Sequence, residues 1–155
     1  MKIKVLLTAI WLMAATITVQ AQNNMFDKFS DHEDISTVFI SKSLLKMMPD
    51  AANVGGTDIK GLANKLEQME IYNSKSAAAN KLIRTEVDAL VKSKTYETLM
   101  SIKDKKENMN FYVHKDKGQI KDLIMYVNNP DECTIIRIQG SFTPEDIQSV
   151  MNSKK

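Results

Sequence analysis

The chain has 155 residues, with 21 basic and 19 acidic side chains and a single cysteine. This near balance of charge gives no electrostatic reason to expect nucleic-acid binding. One cysteine excludes an internal disulfide, and so the fold must be stabilised by burial alone.

The first 21 residues have the pattern of a secretory signal peptide. Lys2 and Lys4 form a short basic region, an apolar stretch follows, and Ala21 ends a small-residue cleavage site. The alternative is a membrane anchor, but the apolar stretch is short for a span of roughly 20 residues. We predict cleavage near Ala21, no stable membrane anchor, and a mature chain that is periplasmic or extracellular. We further expect a flexible leader at 22–29 and one domain at 30–155.

The segment from Ser30 to Met48 is predicted to be a helix. Ser30 and Glu33 have the spacing of a capping box, and apolar residues then recur at helical intervals until Pro49. His32 lies among acidic residues, and the alternative to a helix start is that these residues form a metal or acid–base site. Consecutive residues point around a helix and do not converge on one ion, so we predict a helix start and no ligand site.

The next elements are a loop, a short helix from Thr57 to Leu66, and a strand at 69–72. Ser74 is predicted to cap a longer helix that continues to Lys92, with a solvated outer face of mixed charge.

After Lys94 the apolar period changes to two, which is typical of half-buried strands. Four strands are predicted at 96–103, 109–114, 120–128 and 132–139. Short polar turns join them, so consecutive strands should pair as an antiparallel meander. Thr143 and Pro144 then begin a final helix, with Phe142 and Ile147 placed to form a hydrophobic staple. The predicted fold class is α+β, an antiparallel meander sheet of four to five strands with helices packed on one face.

No residue pattern points to catalysis. Glycine-rich phosphate loops, paired cysteines and the common hydrolase motifs are missing from the sequence. His114 is expected to lie in a solvent-exposed turn, and Cys133 in a buried strand. We predict no catalytic residue, no metal site and no cofactor.

The sheet face that the helices leave uncovered is the one candidate surface. Strand alternation suggests that it carries aromatic and aliphatic side chains, which could bind a partner or a second copy of the chain. The candidates are Tyr112, Ile124, Tyr126 and Ile136.

The order of these features resembles domain-of-unknown-function family 4252, small exported proteins of Bacteroidetes. The resemblance covers essentially the whole mature chain. It lies in the helix before the meander, the four strands, and the glycine that ends the last strand, Gly140. It implies a location in the cell envelope and suggests a role in envelope homeostasis. The family has no established catalytic residues, so none is carried over to this chain.

We therefore expect a non-enzymatic exported module that mediates protein–protein interaction in the cell envelope, with an envelope protein or a second copy as partner. One alternative is a carrier of a small apolar ligand between helices and sheet, which should have a dry cavity. A third is an enzyme with an unrecognised carboxylate site, which should have converging ionisable groups.

Overall fold

The computed structural model describes residues 24–47, 53–54, 57–58 and 64–152. The predicted signal peptide lies outside these residues. No helix in the described part of the chain has the length and apolarity to cross a membrane. In chain order the elements are α1 (Asn24–Ser30), β1 (Ser36–Ser41), α2 (Lys42–Met47), β2 (Asn53–Val54), β3 (Thr57–Asp58), β4 (Leu66–Ser74), α3 (Ala77–Lys92), β5 (Glu97–Lys103), β6 (Asn108–Asp116), β7 (Gln119–Asn128), β8 (Cys133–Phe142) and α4 (Pro144–Asn152).

The fold is α+β and is built on a six-stranded antiparallel sheet. Its strand order is β1-β4-β8-β7-β6-β5, and β2 and β3 form a separate small hairpin. The predicted meander is confirmed as β5 to β8, because each of these strands pairs with its neighbour in sequence. The prediction of four to five strands is one strand short, since β4 pairs with β8 and β1 pairs with β4.

The missing strand lies where the first helix was predicted. Residues 36–41 are extended and pair with β4, and only Lys42–Met47 is helical. Ser30 ends α1 and its hydroxyl donates to the carbonyl of Phe26 at 3.0 Å, so the predicted capping box with Glu33 does not form. Thr37, Val38 and Ile40 are β-branched residues, which pack well on a pleated sheet, and pairing with β4 satisfies their backbone.

Helix α1 occupies most of the segment that was expected to be a flexible leader. Met25, Phe26 and Phe29 are all buried, and Phe29 has no exposed surface. Both phenylalanine rings lie 5.6 Å from the ring of Tyr72 on β4. The part of 22–29 that the structure describes is therefore helical and packed on the sheet.

Helices cover both faces of the sheet, which corrects the prediction of one covered face. We call the face under α1 and α3 the helix face, where Ile83 and Val87 of α3 pack with side chains of β4, β6, β7 and β8. The opposite face contacts α2 through Leu45 and α4 through Ile147.

The two predicted helices that flank the meander are confirmed, with small shifts of boundary. Helix α3 begins after Ser76 and buries Ala79, Ile83 and Val87, which recur every four residues on one side of the helix. At the start of α4 the Asp146 N–H donates to Thr143 Oγ1 at 3.3 Å, and Asp146 Oδ2 accepts from the Thr143 N–H at 2.8 Å. This reciprocal pair is a capping box.

Candidate interaction surface

The four residues predicted to form an exposed surface are all buried. Tyr112, Ile124 and Tyr126 are 8%, 0% and 6% exposed and belong to the core under α3. Ile136 is 6% exposed and belongs to the core of the opposite face. The structure therefore shows that these four residues do not form an exposed surface.

Strand register explains why the set divides between the two faces. Tyr126 on β7 lies opposite Ile135 on β8, whereas Ile136 lies opposite Met125. Because successive side chains on a strand point to opposite faces, Ile136 and Tyr126 cannot share one.

Four of the six large apolar side chains that are exposed in the described residues lie on the outer strands of the sheet, and the other two are Met47 on α2 and Val91 on α3. Val38 and Phe39 on β1 are 47% and 59% exposed, and Leu99 and Ile102 on β5 are 45% and 46% exposed. Val38 lies opposite Ile71 and Phe39 opposite Glu70, and so these two neighbours project on the two faces of the sheet. Exposed apolar side chains of β1 therefore lie on both faces of the sheet, next to its open edge.

In the part of the chain that the structure describes, strand β1 lacks the charge, proline and bulge that normally protect the edge of a sheet. Its six residues, STVFIS, carry no charge and no proline, and their pairing with β4 has no register shift. Among the described strands β1 pairs with β4 alone, so its other side leaves backbone N–H and C=O groups without a strand partner. An uncharged and regular edge of this kind is a template for pairing with another chain.

Strand β5, at the other end of the sheet, has several protective features. It begins at Glu97 and ends at Lys103, and its register with β6 shifts between Thr98 and Met100. The side chain of Glu97 also forms a 2.7 Å ion pair with Lys115. Charges and a bulge oppose edge pairing, so of the two edges only β1 is open to a partner strand.

Strand β4, which pairs with β1, is itself held in the sheet by side-chain hydrogen bonds. Near one end of β4, Asn73 Nδ2 donates to Thr134 Oγ1 on β8 at 2.8 Å and to Glu132 Oε1 at 2.6 Å. Near the other end, Gln68 Nε2 donates to Gln139 Oε1 on β8. Strand β1 is therefore presented on a stable support.

A buried ionic cluster lies on the helix face, and no sequence motif pointed to it. Arg137 on β8 donates through Nε to Asp122 Oδ2 at 2.8 Å, and its Nη1 lies 3.1 Å from Glu70 Oε2. Its guanidinium carbon lies 3.9 Å from the ring centre of Phe26. The hydroxyl of Tyr96 donates to Asp122 Oδ2 at 3.0 Å. Strand alternation does place Asp122 and Arg137 inward, but only the register brings them together.

Burial raises the pKa of the Tyr96 hydroxyl strongly, and the negative charge of Asp122 raises it further. The pKa of Arg137 is also raised, because the attraction of Asp122 and Glu70 outweighs the opposing effect of burial. Within the described residues Asp122 Oδ1 accepts no hydrogen bond. The cluster is closed over by Phe26, and we assign it to stabilising the packing of α1 on the sheet.

The two histidines and the acidic residue Asp34 have structural partners. His32 Nδ1 accepts the N–H of Asp34 at 3.1 Å, and the Asp34 carboxylate accepts from the hydroxyl of Ser76 at 2.9 Å. His114 lies within β6, half-buried, with Nδ1 2.9 Å from the carbonyl oxygen of Thr95, and not in a solvent-exposed turn. No group of three or more His, Cys, Asp or Glu side chains in the described ranges could hold a metal ion.

Cys133 is buried, as predicted. Desolvation raises the pKa of its thiol, although the nearby Arg84 opposes the shift. A thiol that is buried and kept protonated is a poor nucleophile.

Comparison with known protein families identifies a family for this chain. The family model described as Domain of unknown function (DUF4252) matches residues 29–150, which is most of the chain. No curated protein and no solved structure matches the chain significantly.

Proposed function

The chain belongs to the DUF4252 family, and we propose that it is a non-enzymatic exported module that binds protein by strand addition at β1. The partner is a second copy of the chain, whose β1 pairs antiparallel with the first. The two six-stranded sheets then form one continuous sheet across a two-fold axis.

The observation that carries this proposal is the unprotected edge of β1. In strand addition the main-chain hydrogen bonds supply affinity, and neighbouring side chains supply specificity. Strand β1 offers the backbone of six extended residues for main-chain hydrogen bonds. The exposed side chains of Val38 and Phe39 can supply the specificity.

A second copy is favoured by the absence of charge in β1. Two-fold antiparallel pairing brings the centre of each strand next to its own copy, so a charged residue near the centre would lie close to a like charge across the interface. The sequence STVFIS brings only hydroxyl and apolar side chains together. Val38 and Phe39 lie near the middle of the strand, where pairing would remove their apolar surface from water on both faces of the sheet.

The export part of the proposal rests on the sequence of residues 1–21, which ends at Ala21. A basic start, an apolar stretch and small residues at the cleavage point are the usual parts of a signal peptide. The mass of the protein purified from the envelope fraction tests it. A chain that begins near Gln22 is expected, and a chain that retains residues 1–21 in the cytoplasmic fraction would contradict export.

Sedimentation velocity tests the pairing. We expect the mature wild-type chain to form a dimer in a concentration-dependent manner. Phe39→Lys places a charge on the exposed centre of β1 and should weaken the dimer at least about tenfold, because the two lysines then lie close to each other near the two-fold axis. Leu99→Lys, on β5, is the matched control and should leave the dimer unchanged, since Leu99 is also half-exposed. Circular dichroism should show all three proteins folded.

Two results would overturn the proposal. The first is a wild-type chain that stays monomeric at every concentration tested. The second is a Phe39→Lys dimer as tight as the wild type, because the interface would then lie elsewhere. Weakening by Leu99→Lys, with no effect of Phe39→Lys, would assign the interface to β5.

A further inference from the structure

A polar cleft lies on the helix face, beside α3 and over the start of β6. Its volume is about 330 Å³, and it continues into a second hollow of about 350 Å³ at the β5–β6 turn. Four side chains line both parts, namely Arg84, Lys103, Asn108 and Asn128. We call the two parts together the polar cleft. Its size is at the lower end of the range for small-molecule sites, roughly 300–1,000 Å³.

One side of the polar cleft is rigid because its polar groups bond to each other. Arg84 Nε donates to Asn128 Oδ1 at 2.9 Å, and its Nη2 donates to the Asn129 carbonyl oxygen at 2.9 Å. Asn128, the last residue of β7, is therefore held against α3. The hydroxyl of Ser101 donates to Asn110 Oδ1 at 2.7 Å, and this bond orients the amide of Asn110.

Several groups that face the polar cleft keep free hydrogen-bonding capacity. With its oxygen held by Ser101, Asn110 presents its Nδ2 donors to the cleft. The amide of Asn108, the carboxylate of Asp88 and the hydroxyl of Tyr112 have no hydrogen-bond partner among the described residues. The lining thus offers donors and acceptors, separated by a few side chains, to one small molecule.

The charges around the polar cleft nearly cancel. Four basic and three acidic side chains line its two parts, and the guanidinium of Arg84 is already engaged by Asn128. A site for phosphate or another dianion would need an excess of uncommitted cations. Near neutrality favours an uncharged ligand.

Two tyrosines reach the floor of the polar cleft from the core beneath it, and they are only 8% and 6% exposed. Tyr112 and Tyr126 line it together with Val87, and both rings are held in the core under α3. Burial, with a smaller effect of the Asp88 charge, raises the pKa of Tyr112, so its hydroxyl stays protonated and can donate. Amides, a carboxylate and a hydroxyl that line one small cleft suit a ligand that carries several hydroxyl groups.

We infer that the polar cleft is a binding site for a small uncharged polyhydroxylated ligand, of the chemical class of a mono- or disaccharide. The amides of Asn108 and Asn110 bind ligand hydroxyls from the strand side. Asp88 accepts from α3, and the hydroxyl of Tyr112 donates to the ligand from the floor of the cleft. This inference is independent of strand addition, because β1 is at the far edge of the sheet from β5 and β6.

Nuclear magnetic resonance titration of the full mature chain tests the inference. The probes are glucose, N-acetylglucosamine and maltose, with inorganic phosphate as the charged comparison. At least one sugar should shift the backbone and side-chain amide signals of Asn108, Asn110 and Asn128. An affinity in the millimolar range, with a dissociation constant of about 1 mM, corresponds to roughly 4 kcal/mol and suits an open cleft.

Two variants remove ligand contacts without removing protein bonds. Asn108→Ala and Tyr112→Phe should each weaken sugar binding about fivefold, the effect of one hydrogen bond of about 1 kcal/mol. Gln148→Ala, which removes an exposed amide on α4, is the control and should bind as the wild type does. No shift with any sugar, equal weakening by the control, or shifts caused by phosphate alone would overturn the inference.

Discussion

Replacing Arg137 by methionine tests the buried ionic cluster. Methionine keeps the apolar stem of arginine but loses every polar contact of the guanidinium. These are the bonds from Nε and Nη2 to Asp122 Oδ2, both at 2.8 Å, and the 3.1 Å contact of Nη1 with Glu70. Asp122 is only 4% exposed, and the variant removes the one cation that pairs with it among the described residues.

We expect this change to lower the free energy of unfolding by about 3–5 kcal/mol, the usual effect of removing one partner of a buried pair. Most of the loss arises because the Asp122 charge stays buried without compensation, and not from the net strength of the original pair. The remaining donor to Asp122 is the Tyr96 hydroxyl, at 3.0 Å, and one neutral donor cannot replace a guanidinium. The free energy of unfolding of small domains is about 5–15 kcal/mol, so the variant should still fold but with much reduced stability.

Urea unfolding followed by circular dichroism measures the effect. Lys28→Met is the matched control, because Lys28 forms an exposed 2.8 Å ion pair with Glu86 and should contribute at most about 1 kcal/mol. The double variant Arg137→Met with Asp122→Leu should recover part of the stability, since no aspartate charge remains buried. A loss under about 1 kcal/mol for Arg137→Met, or no recovery in the double variant, would refute the reasoning.

Two further predictions concern backbone packing and pH. Gly140→Ala should lower stability by about 1–3 kcal/mol in urea unfolding, because its Cβ would overlap the backbone oxygen of Lys65 and meet Phe142 Cζ at 2.5 Å. Gly118→Asn is the control, because an added Cβ there meets no atom within 4 Å and asparagine is strained less than most side chains by the positive φ of +80°. Its loss should be the smaller one, and equal losses would contradict the packing argument. Burial first, and then the charge of Glu70, raises the pKa of Tyr72 to about 12, and the other three tyrosines are raised as well. Unfolded tyrosine ionises near pH 10. The stability that the buried, neutral tyrosines contribute should therefore be intact below about pH 10 and lost as the pH rises through 12. Tyrosinate absorbance that appears at a normal pKa in the folded chain would refute this.

The part of the fold built from local signals could be predicted from the sequence. The strands β5 to β8 have a clear period of two and short polar turns, and each pairs with its neighbour in sequence, so local pattern and topology agree. The cap at Thr143 was also predicted, because capping chemistry acts within one turn of helix. For α3 the prediction named Ser74, whereas the helix begins after Ser76, whose side chain forms no cap hydrogen bond.

The strand β1 could not be predicted in this way. Ile35, Val38 and Phe39 match helical spacing, and a short apolar run fits a helix and a strand equally by periodicity. The β-branched content of residues 35–40 was the available signal for a strand. What decides the structure is pairing with β4, whose residues lie about 30 positions later in the chain.

The candidate surface failed for a related reason. Alternation along a strand separates two faces but does not tell which of them the helices cover. Tyr112 and Tyr126 face α3, and the helix before the meander packs on them. The polar cleft was missed because its lining comes from α3 and three strands, and no local spacing brings Arg84 near Lys103.

The contrast between the two sheet edges bears on how far association can extend. A chain with two open edges could add partners at both and would form an open-ended assembly. Here the charges and the register shift of β5 oppose pairing, whereas β1 has no such protection. One open edge that pairs with itself closes as a dimer, because the two-fold operation uses both copies of β1 and leaves only protected strands outside. The asymmetry therefore favours a closed pair of chains over a fibre.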